Sequence, residues 1–263
     1  MIICPVCEGK SYLIWRERKY RAYRCRHCSL CFLHPLPEDP STIYNEEYFK
    51  RWYIRYYSER RAYITRLFSI FENYIPSKGK LLDVGCGIGI LLDVAKEKGY
   101  DVYGQDISPF AVNYCREKGY KVFDKPLPQL NLPEASFDII TVLDVIAHLK
   151  DPVSYIESCK KLLKPGGYLI IKTPYHPPYL FLFANLLSFT GKSRALLHIP
   201  AQLFHFNKKS IKKLMSDGFN LLVTIAIDDF AASLHFTGFF YIISKWIENN
   251  EGILTVCRTK NNE

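Results

Sequence analysis

"LLDVGCGIGI", residues 81–90, sets three glycines at alternate positions directly behind an apolar run. Leu81, Leu82 and Val84 have the continuous apolar character of a buried strand, and Ile90, Leu91, Leu92, Val94 and Ala95 recur at helical spacing. Gly85, Gly87 and Gly89 therefore fall in the turn between a strand and a helix, where α/β folds bring backbone amides against a nucleoside or phosphate. The spacing G-x-G-x-G is neither the dinucleotide pattern G-x-G-x-x-G nor the P-loop G-x-x-x-x-G-K-[ST]. The ligand has to be identified from the rest of the chain.

Outward from that turn, strands are expected at "KLLDV", "DVYGQ", "KVF", "FDIITV", "GYLIIKT", "NLLVTIAI" and "GILTVCR", with helices over about 89–98, 109–118, 151–163 and 208–217. Strands separated by helices need crossover connections. They predict an α/β, Rossmann-like, doubly wound and mostly parallel seven-stranded sheet, with its site at the strand C-termini. The last two strands break the alternation and suit an antiparallel edge. "KPGG", Lys164–Gly167, reads as a helix stop and a turn into the fifth strand.

At 263 residues, 48% hydrophobic and 23% charged, the chain fits one full α/β domain plus a small module, and excludes a disordered or fibrous protein. No run of about 18 apolar residues occurs, and "MIICPVCEGK" lacks the apolar stretch of a signal peptide, so a cytoplasmic protein with its nine cysteines reduced is expected. The net charge of +9 is uneven: residues 1–80 hold 15 Lys/Arg against 8 Asp/Glu. That excess hints at an anionic partner, but a four-thiolate zinc site would lower it, and the case for nucleic acid is weak.

Cys4 and Cys7 in "CPVC" and Cys25 and Cys28 in "CRHC" give C-x2-C-x17-C-x2-C, the spacing of a four-cysteine zinc site, with a short hairpin between the pairs. Residues 1–38 are therefore read as a zinc ribbon whose folding depends on the metal. Buried reduced cysteines are the plainer alternative; His27 and Cys31 are spare ligands. Residues 39–78 form a proline-marked linker and a long amphipathic helix ended by Pro76. Its arginines and tyrosines fit either a solvated face or contact with a polyanion. Residues 79–263 make the main domain, with an apolar insertion at about 175–207 read as a substrate lid.

In this order, "LLDVGCGIG", "VYGQDIS", "FDIITVLDVIAHLKDP" and "LLKPGGYLIIKTP" resemble the class I S-adenosylmethionine-dependent methyltransferases. "RCRHCSLCFLHPLPEDP" followed by "YNEEYF" is similar to the zinc-ribbon entry of a methyltransferase-23-like branch, so the resemblance covers nearly the whole chain. It implies S-adenosylmethionine as cofactor, beside Zn2+. Gly85, Cys86, Gly87 and Gly89 then bring the backbone to the ligand's methionine portion and ribose, and Asp83 orients loop amides or the ligand's ammonium. The absence of a phosphate explains the missing P-loop lysine.

Asp106, at the end of the second strand, can accept both ribose hydroxyl protons. Ile107 should pack on the adenine. Asp124 is either an adenine-amino acceptor or a turn residue before Pro126. Leu143 and Asp144 lie where this fold lines the pocket beside the reactive methyl. His148 stands in a segment that often reads D-V-I-E-H-L in the resembling family, with Ala147 here in place of the glutamate. His148 fits a catalytic base or a histidine tied to a backbone carbonyl.

Methyl transfer to a hydroxyl benefits from a base near pH 7. Besides His148, the candidates are His176, His198 and His205. "PAQLFHFNKKSI" resembles a family segment P-x-H-L-x-x-F-T-P-K-S-L, with Gln202 in place of the usual histidine and His205 three residues later. A nucleic-acid amino-methyltransferase is expected to carry D/N-P-P-Y after the fourth strand. This chain has "LDVI" there and "HPPY" only at 176–179, read as a lid hinge. The tail "SLHFTGFFYIISKWI" fits packing on the lid or contact with a bilayer surface. The expected activity is O-methylation of a small molecule, such as a sugar or another cell-surface or secondary-metabolite precursor, with a sugar- or lipid-linked acceptor among the partners considered. RNA or protein methylation, and a noncatalytic zinc-dependent scaffold, are the alternatives.

Overall fold

The protein is described from a computed structural model over residues 1–37, 43–175, 178–191, 193–228 and 251–260. The expected lid hinge at His176 and Pro177 and the aromatic tail lie outside the described residues.

At the N-terminus β1 (Ile2–Ile3), β2 (Lys10–Glu17), β3 (Tyr20–Cys25) and β4 (Cys31–Leu33) form consecutive antiparallel pairs. The connecting segment is not one continuous helix. Asn45 caps a single turn, α1 (Glu46–Phe49), by accepting from the Tyr48 amide at 3.0 Å. A π-helical turn over Lys50–Ile54 follows, and Tyr56 leaves helical geometry before α2 (Tyr57–Phe71) begins. π-helical turns of this kind recur at functional sites.

The main sheet begins with β5 (Lys80–Val84), followed by α3 (Ile90–Glu97), β6 (Asp101–Gln105), α4 (Pro109–Glu117) and β7 (Lys121–Phe123). After β8 (Phe137–Leu143) come α5 (Pro152–Leu162), capped by Asp151, and β9 (Leu163–Pro174). The remaining elements are α6 (Pro178–Leu187), α7 (Ser193–Leu196), β10 (Phe204–His205), α8 (Lys208–Met215), β11 (Phe219–Asp228) and β12 (Glu251–Thr259). The seven-stranded sheet runs β11-β12-β9-β8-β5-β6-β7. The five strands from β9 to β7 are parallel, and β12 and β11 add the antiparallel edge.

The continuous apolar runs in the strands follow from burial on both faces. Leu82, Ile140 and Ile171 pack on one side with Ile156 and Leu162 of α5, while Leu81, Ile139 and Ile170 pack on the other with Phe68 and Phe71 of α2 and Leu91 and Leu92 of α3. Lys164–Gly167 differ from the expected turn. They are already part of β9, with Gly166 at φ +73° and a register shift opposite Phe137 and Ile139.

The N-terminal strands share one sheet with the segment expected from sequence to be a lid. β10 pairs antiparallel with β4, Phe204 opposite Phe32 and His205 opposite Cys31, giving the order β1-β2-β3-β4-β10. Buried Trp15 of β2 donates to Ser193 Oγ at 3.1 Å, and Ser193 donates to Glu17 at 2.5 Å. Sequence periodicity could not announce this union, because β10 is only two residues long.

Candidate active site

The glycine turn sits at the C-terminal edge of β5, between β6 and β8. Gly85, Gly87 and Gly89 all have φ between +53° and +79°, the left-handed region that favours glycine. Of the three, Gly87 alone has room for a Cβ with no contact under 3.4 Å. A Cβ on Gly85 would stand 2.3 Å from Val145 Cγ2, and one on Gly89 3.0 Å from Cys115 Sγ, so those two positions are small because the protein itself fills the space. Above Gly87, the rings of Phe49 and Tyr53 approach the site of a Cβ to 3.4 and 3.6 Å. Cys86 points into the interior, its sulfur 2.7 Å from where a Cβ on Gly104 would lie. It can meet a ligand only through its backbone.

Asp106 follows β6 and is nearly buried. One carboxylate oxygen accepts from the Gly87 amide at 2.8 Å and the other from the Ser108 amide at 2.9 Å. These bonds fix the carboxylate against the glycine turn, and each oxygen keeps a second lone pair. Burial raises its pKa against the opposing effect of those amides. Asp83 is buried one turn below and accepts from Thr141 Oγ1 at 2.7 Å; burial pushes its carboxyl up to about 7, with Asp106 adding to the rise. Ile107 is 43% exposed beside them.

Asp124 follows β7, next to the Phe123 carbonyl that accepts from the Asp106 amide at 3.0 Å. It is solvent-facing and paired with Arg116 at 3.1 Å, whose hydrogen bond holds its carboxyl below the usual range.

Across the turn, Leu143 ends β8 and is partly buried, and Asp144 takes φ +58°, an uncommon conformation for a residue with a side chain. Both its oxygens lie 2.7 Å from Lys172 Nζ, and that lysine is fully buried in β9. The sequence signal for Lys172 was a lone cation inside "GYLIIKTP", which the strand reading absorbed.

His148 closes a short turn over Ile146–His148, and its Nδ1 lies 2.8 Å from the Ala201 carbonyl of the lid. A carbonyl only accepts, so Nδ1 carries the proton and Nε2 is the basic nitrogen. Burial holds its pKa below the ordinary value. His205 is buried in β10, edge-on to Phe181 at 5.1 Å, and belongs to the ribbon and lid sheet. His198 is exposed at φ +50°, and Gln202 is buried.

The connector supplies residues that the sequence reading did not single out. Ser108 Oγ donates to the Tyr44 carbonyl at 2.8 Å, and the Tyr44 ring meets His148 edge-on at 6.1 Å. Tyr48 stacks edge-on against Tyr44 and Phe49. Burial raises the pKa of Tyr53, which also feels the charges of Arg60, Asp144 and Asp106. Tyr44, Tyr48, Phe49 and Tyr53 thus form an aromatic cluster against Gly87, Ser108 and His148. The clue was the aromatic density of "YNEEYFKRWY". A separate open groove along Tyr57, Arg61, Thr65 and Lys98 runs to the C-terminal end of α3, the end opposite the glycine turn, and its Arg61 and Lys98 are paired with Glu97 and Glu72.

In the ribbon, the sulfurs of Cys4, Cys7, Cys25 and Cys28 all lie within 4.8 Å of one another, with Cys4–Cys28 at 3.6 Å and Cys7–Cys25 at 3.4 Å. A tetrahedral zinc site with Zn–S bonds of ~2.3 Å has edges of about 3.8 Å, so the four sulfurs fit it with small adjustments. The His27 and Cys28 amides donate to Cys25 Sγ at 3.3 and 3.4 Å, as a thiolate requires. A hydrogen bond from Cys28 draws Cys4 down to about 5, and the same contact holds Cys28 up. Cys31 stands outside the cluster, its thiol pushed up to about 12 by burial, and His27 is exposed.

With this geometry in place, the comparisons with known proteins are specific. Residues 49–223 match a family model described as a methyltransferase domain, Methyltransf_23. A ubiquinone biosynthesis O-methyltransferase of Acinetobacter baylyi is 34% identical over 137 residues, covering 49% of this chain and 56% of the relative. The match thus spans about half the length of the curated relatives. Among solved structures, a SAM-dependent methyltransferase of Methanosarcina mazei is similar at TM-score 0.56 and 18% identity, over 73% of this chain and 98% of that one. The [4+2]-cyclase SpnF is similar at TM-score 0.53 and 17% identity, over 75% and 82%. The fold alone therefore does not fix the reaction.

Proposed function

The chain belongs to the Methyltransf_23 family of methyltransferase domains, and from that premise we propose that it uses S-adenosylmethionine to methylate an oxygen of a small-molecule acceptor. The observation that carries the cofactor assignment to residues is the bond between the Gly87 amide and Asp106, which joins the glycine turn to the carboxylate at the end of β6. In this reading Asp106 takes the ribose hydroxyls with its remaining lone pairs, Ile107 covers the adenine, and Asp83 balances the positive charge of the bound cofactor. The cofactor supplies an electrophilic methyl on a sulfonium sulfur.

The acceptor would lie at the ends of β8 and β9, between Asp144, Lys172 and His148. Lys172 holds Asp144 in place, and His148 Nε2, neutral at pH 7, accepts the proton as the acceptor oxygen attacks. The Tyr44, Tyr48, Phe49 and Tyr53 rings would help to keep water from the bound cofactor, and aromatic rings are compatible with its positive charge. Zinc held by Cys4, Cys7, Cys25 and Cys28 stabilises the ribbon, and through β4 and β10 it fixes the lid that carries the His148 anchor at Ala201.

The relatives' names favour an oxygen acceptor of the kind met in ubiquinone biosynthesis over the sugar expected from sequence. The test is transfer of a labelled methyl group to hydroxylated aromatic acceptors and to nucleotide-linked sugars, in parallel. Labelled ether formed on the aromatic hydroxyl, and reduced at least tenfold in His148→Ala, supports the proposal. Label appearing only on nitrogen or carbon would overturn the O-methylation reading.

A further inference from the structure

The segment after β9 turns large apolar side chains outward. Leu182 is 65% exposed, Leu186 64% and Phe189, in the turn that follows α6, 86%. On the opposite side of the same helix Leu180, Phe181 and Ala184 are buried. Positions 182, 186 and 189 lie at i, i+4 and i+7, one stripe of a helix. α6 therefore packs one apolar face into the protein and presents a second one outside.

That stripe ends beside a basic hairpin. In β2 and β3, Arg16 stands directly opposite Arg21, and both are exposed, as are Arg18 and Lys19 at the tip. Like charges opposite each other in a sheet are unfavourable unless an anion lies over them. The one acid of this hairpin, Glu17, is turned inward at 3% exposure and held by Ser193 and Arg194. The two features are contiguous: Arg18 Nη2 lies 3.2 Å from where a Cβ on Gly191 would stand, two residues beyond Phe189, and Asn185 of α6 donates to the Ile14 carbonyl of β2. Residues 178–200 contain no Asp or Glu.

We propose that the outer stripe of α6 and the tip of the β2–β3 hairpin form one docking face for an anionic lipid surface. Leu182, Leu186 and Phe189 enter the acyl boundary, and Arg16, Arg18, Lys19 and Arg21 meet lipid phosphates. RNA would satisfy the arginines and leave the apolar stripe in water. An isologous dimer through this face would bring a second basic tip into the same interface. No described helix is long and apolar enough to cross a membrane, so the contact is peripheral. α6 starts four residues after β9 ends, so docking would set the acceptor site near the lipid surface. That placement rests on the methyl-transfer reading, whereas the docking face does not.

The experiment is co-sedimentation of the full, zinc-loaded chain with vesicles of phosphatidylcholine alone and of an equal mixture with phosphatidylglycerol. Partition to the anionic vesicles should be at least about tenfold stronger. The pair Leu182→Gln and Leu186→Gln should remove binding, and the pair Arg18→Glu and Arg21→Glu should remove the preference for anionic lipid. Both should leave S-adenosylmethionine affinity unchanged, which shows that they fold. Equal partition of the leucine variant and the parent would overturn the proposal. So would a dimer that the leucine variant dissociates with no vesicle binding by either form, or binding that disappears only when residues 232–246 are replaced by a Gly–Ser linker. Vesicle binding by a protein that fails to bind S-adenosylmethionine would sustain the docking face and count against the methyl-transfer reading alone.

Discussion

Gly85→Ala is the substitution for which the structure fixes a magnitude most tightly. The new methyl would stand 2.3 Å from Val145 Cγ2, far inside any tolerable contact, and the backbone at φ +71° disfavours a side chain. The left-handed conformation costs an ordinary residue about 1–2 kcal/mol, and forcing a methyl into a packed site costs a further ~1–3 kcal/mol. The variant should therefore lose roughly 2–5 kcal/mol of stability. Val145→Ala removes the colliding carbon, so the double variant should recover the steric part while the backbone part of about 1–2 kcal/mol persists. Denaturant unfolding of the parent, both single variants and the double variant measures this coupling. A stable Gly85→Ala protein, or a double variant whose loss equals the sum of the single losses, would refute the claim that Gly85 is small for Val145 rather than for a ligand.

Asp106→Ala should weaken S-adenosylmethionine binding by about 1.5–3 kcal/mol through lost charged hydrogen bonds, with Asp106→Asn intermediate because one amide-to-oxygen bond survives; calorimetric titration reads both. Asp83 has a folded pKa raised to about 7 from 3.8, so its contribution to stability in the cofactor-free protein is full below the unfolded value and lost as pH rises through 7. A shift of that size is worth on the order of 4 kcal/mol at most. Thermal unfolding from pH 4 to 8 should show this fall, and Asp83→Asn should abolish it; because a cationic ligand favours the ionised form, cofactor affinity should rise over the same range only in the parent. Removing zinc with a chelator should release one metal per chain and raise the acceptor KM several-fold while cofactor affinity changes little, because the ribbon meets the lid through β4 and β10. Equal loss of both affinities would place the ribbon's effect on the whole fold instead.

The sheet was legible because its signals are local. Strands buried on both faces give continuous runs such as Phe137–Leu143, and helix ends carry their own caps, as Asp151 does for α5. The strand-to-helix turn was legible from three glycines, and the structure adds that two of them are held small by Val145 and Cys115. The four cysteines were legible from spacing alone. The union of ribbon and lid was not, since it rests on a two-residue strand and on Glu17 and Ser193, which are 176 residues apart and carry no local pattern. The break at Lys50–Ile54, which leans Phe49 and Tyr53 over Gly87, was hidden by a helical periodicity that continues through it. Asp124 was open in the sequence between a ligand contact and a turn residue, and its ion pair with Arg116 of α4 is set by a residue the strand pattern does not announce.

The central claim is that the turn at residues 85–89 holds S-adenosylmethionine. Titrating the purified, zinc-loaded protein with S-adenosylmethionine in a calorimeter tests it most directly. One site per chain, competition by S-adenosylhomocysteine, and an affinity lowered by about 1.5–3 kcal/mol in Asp106→Ala are expected. Folded protein that takes up neither ligand would contradict it.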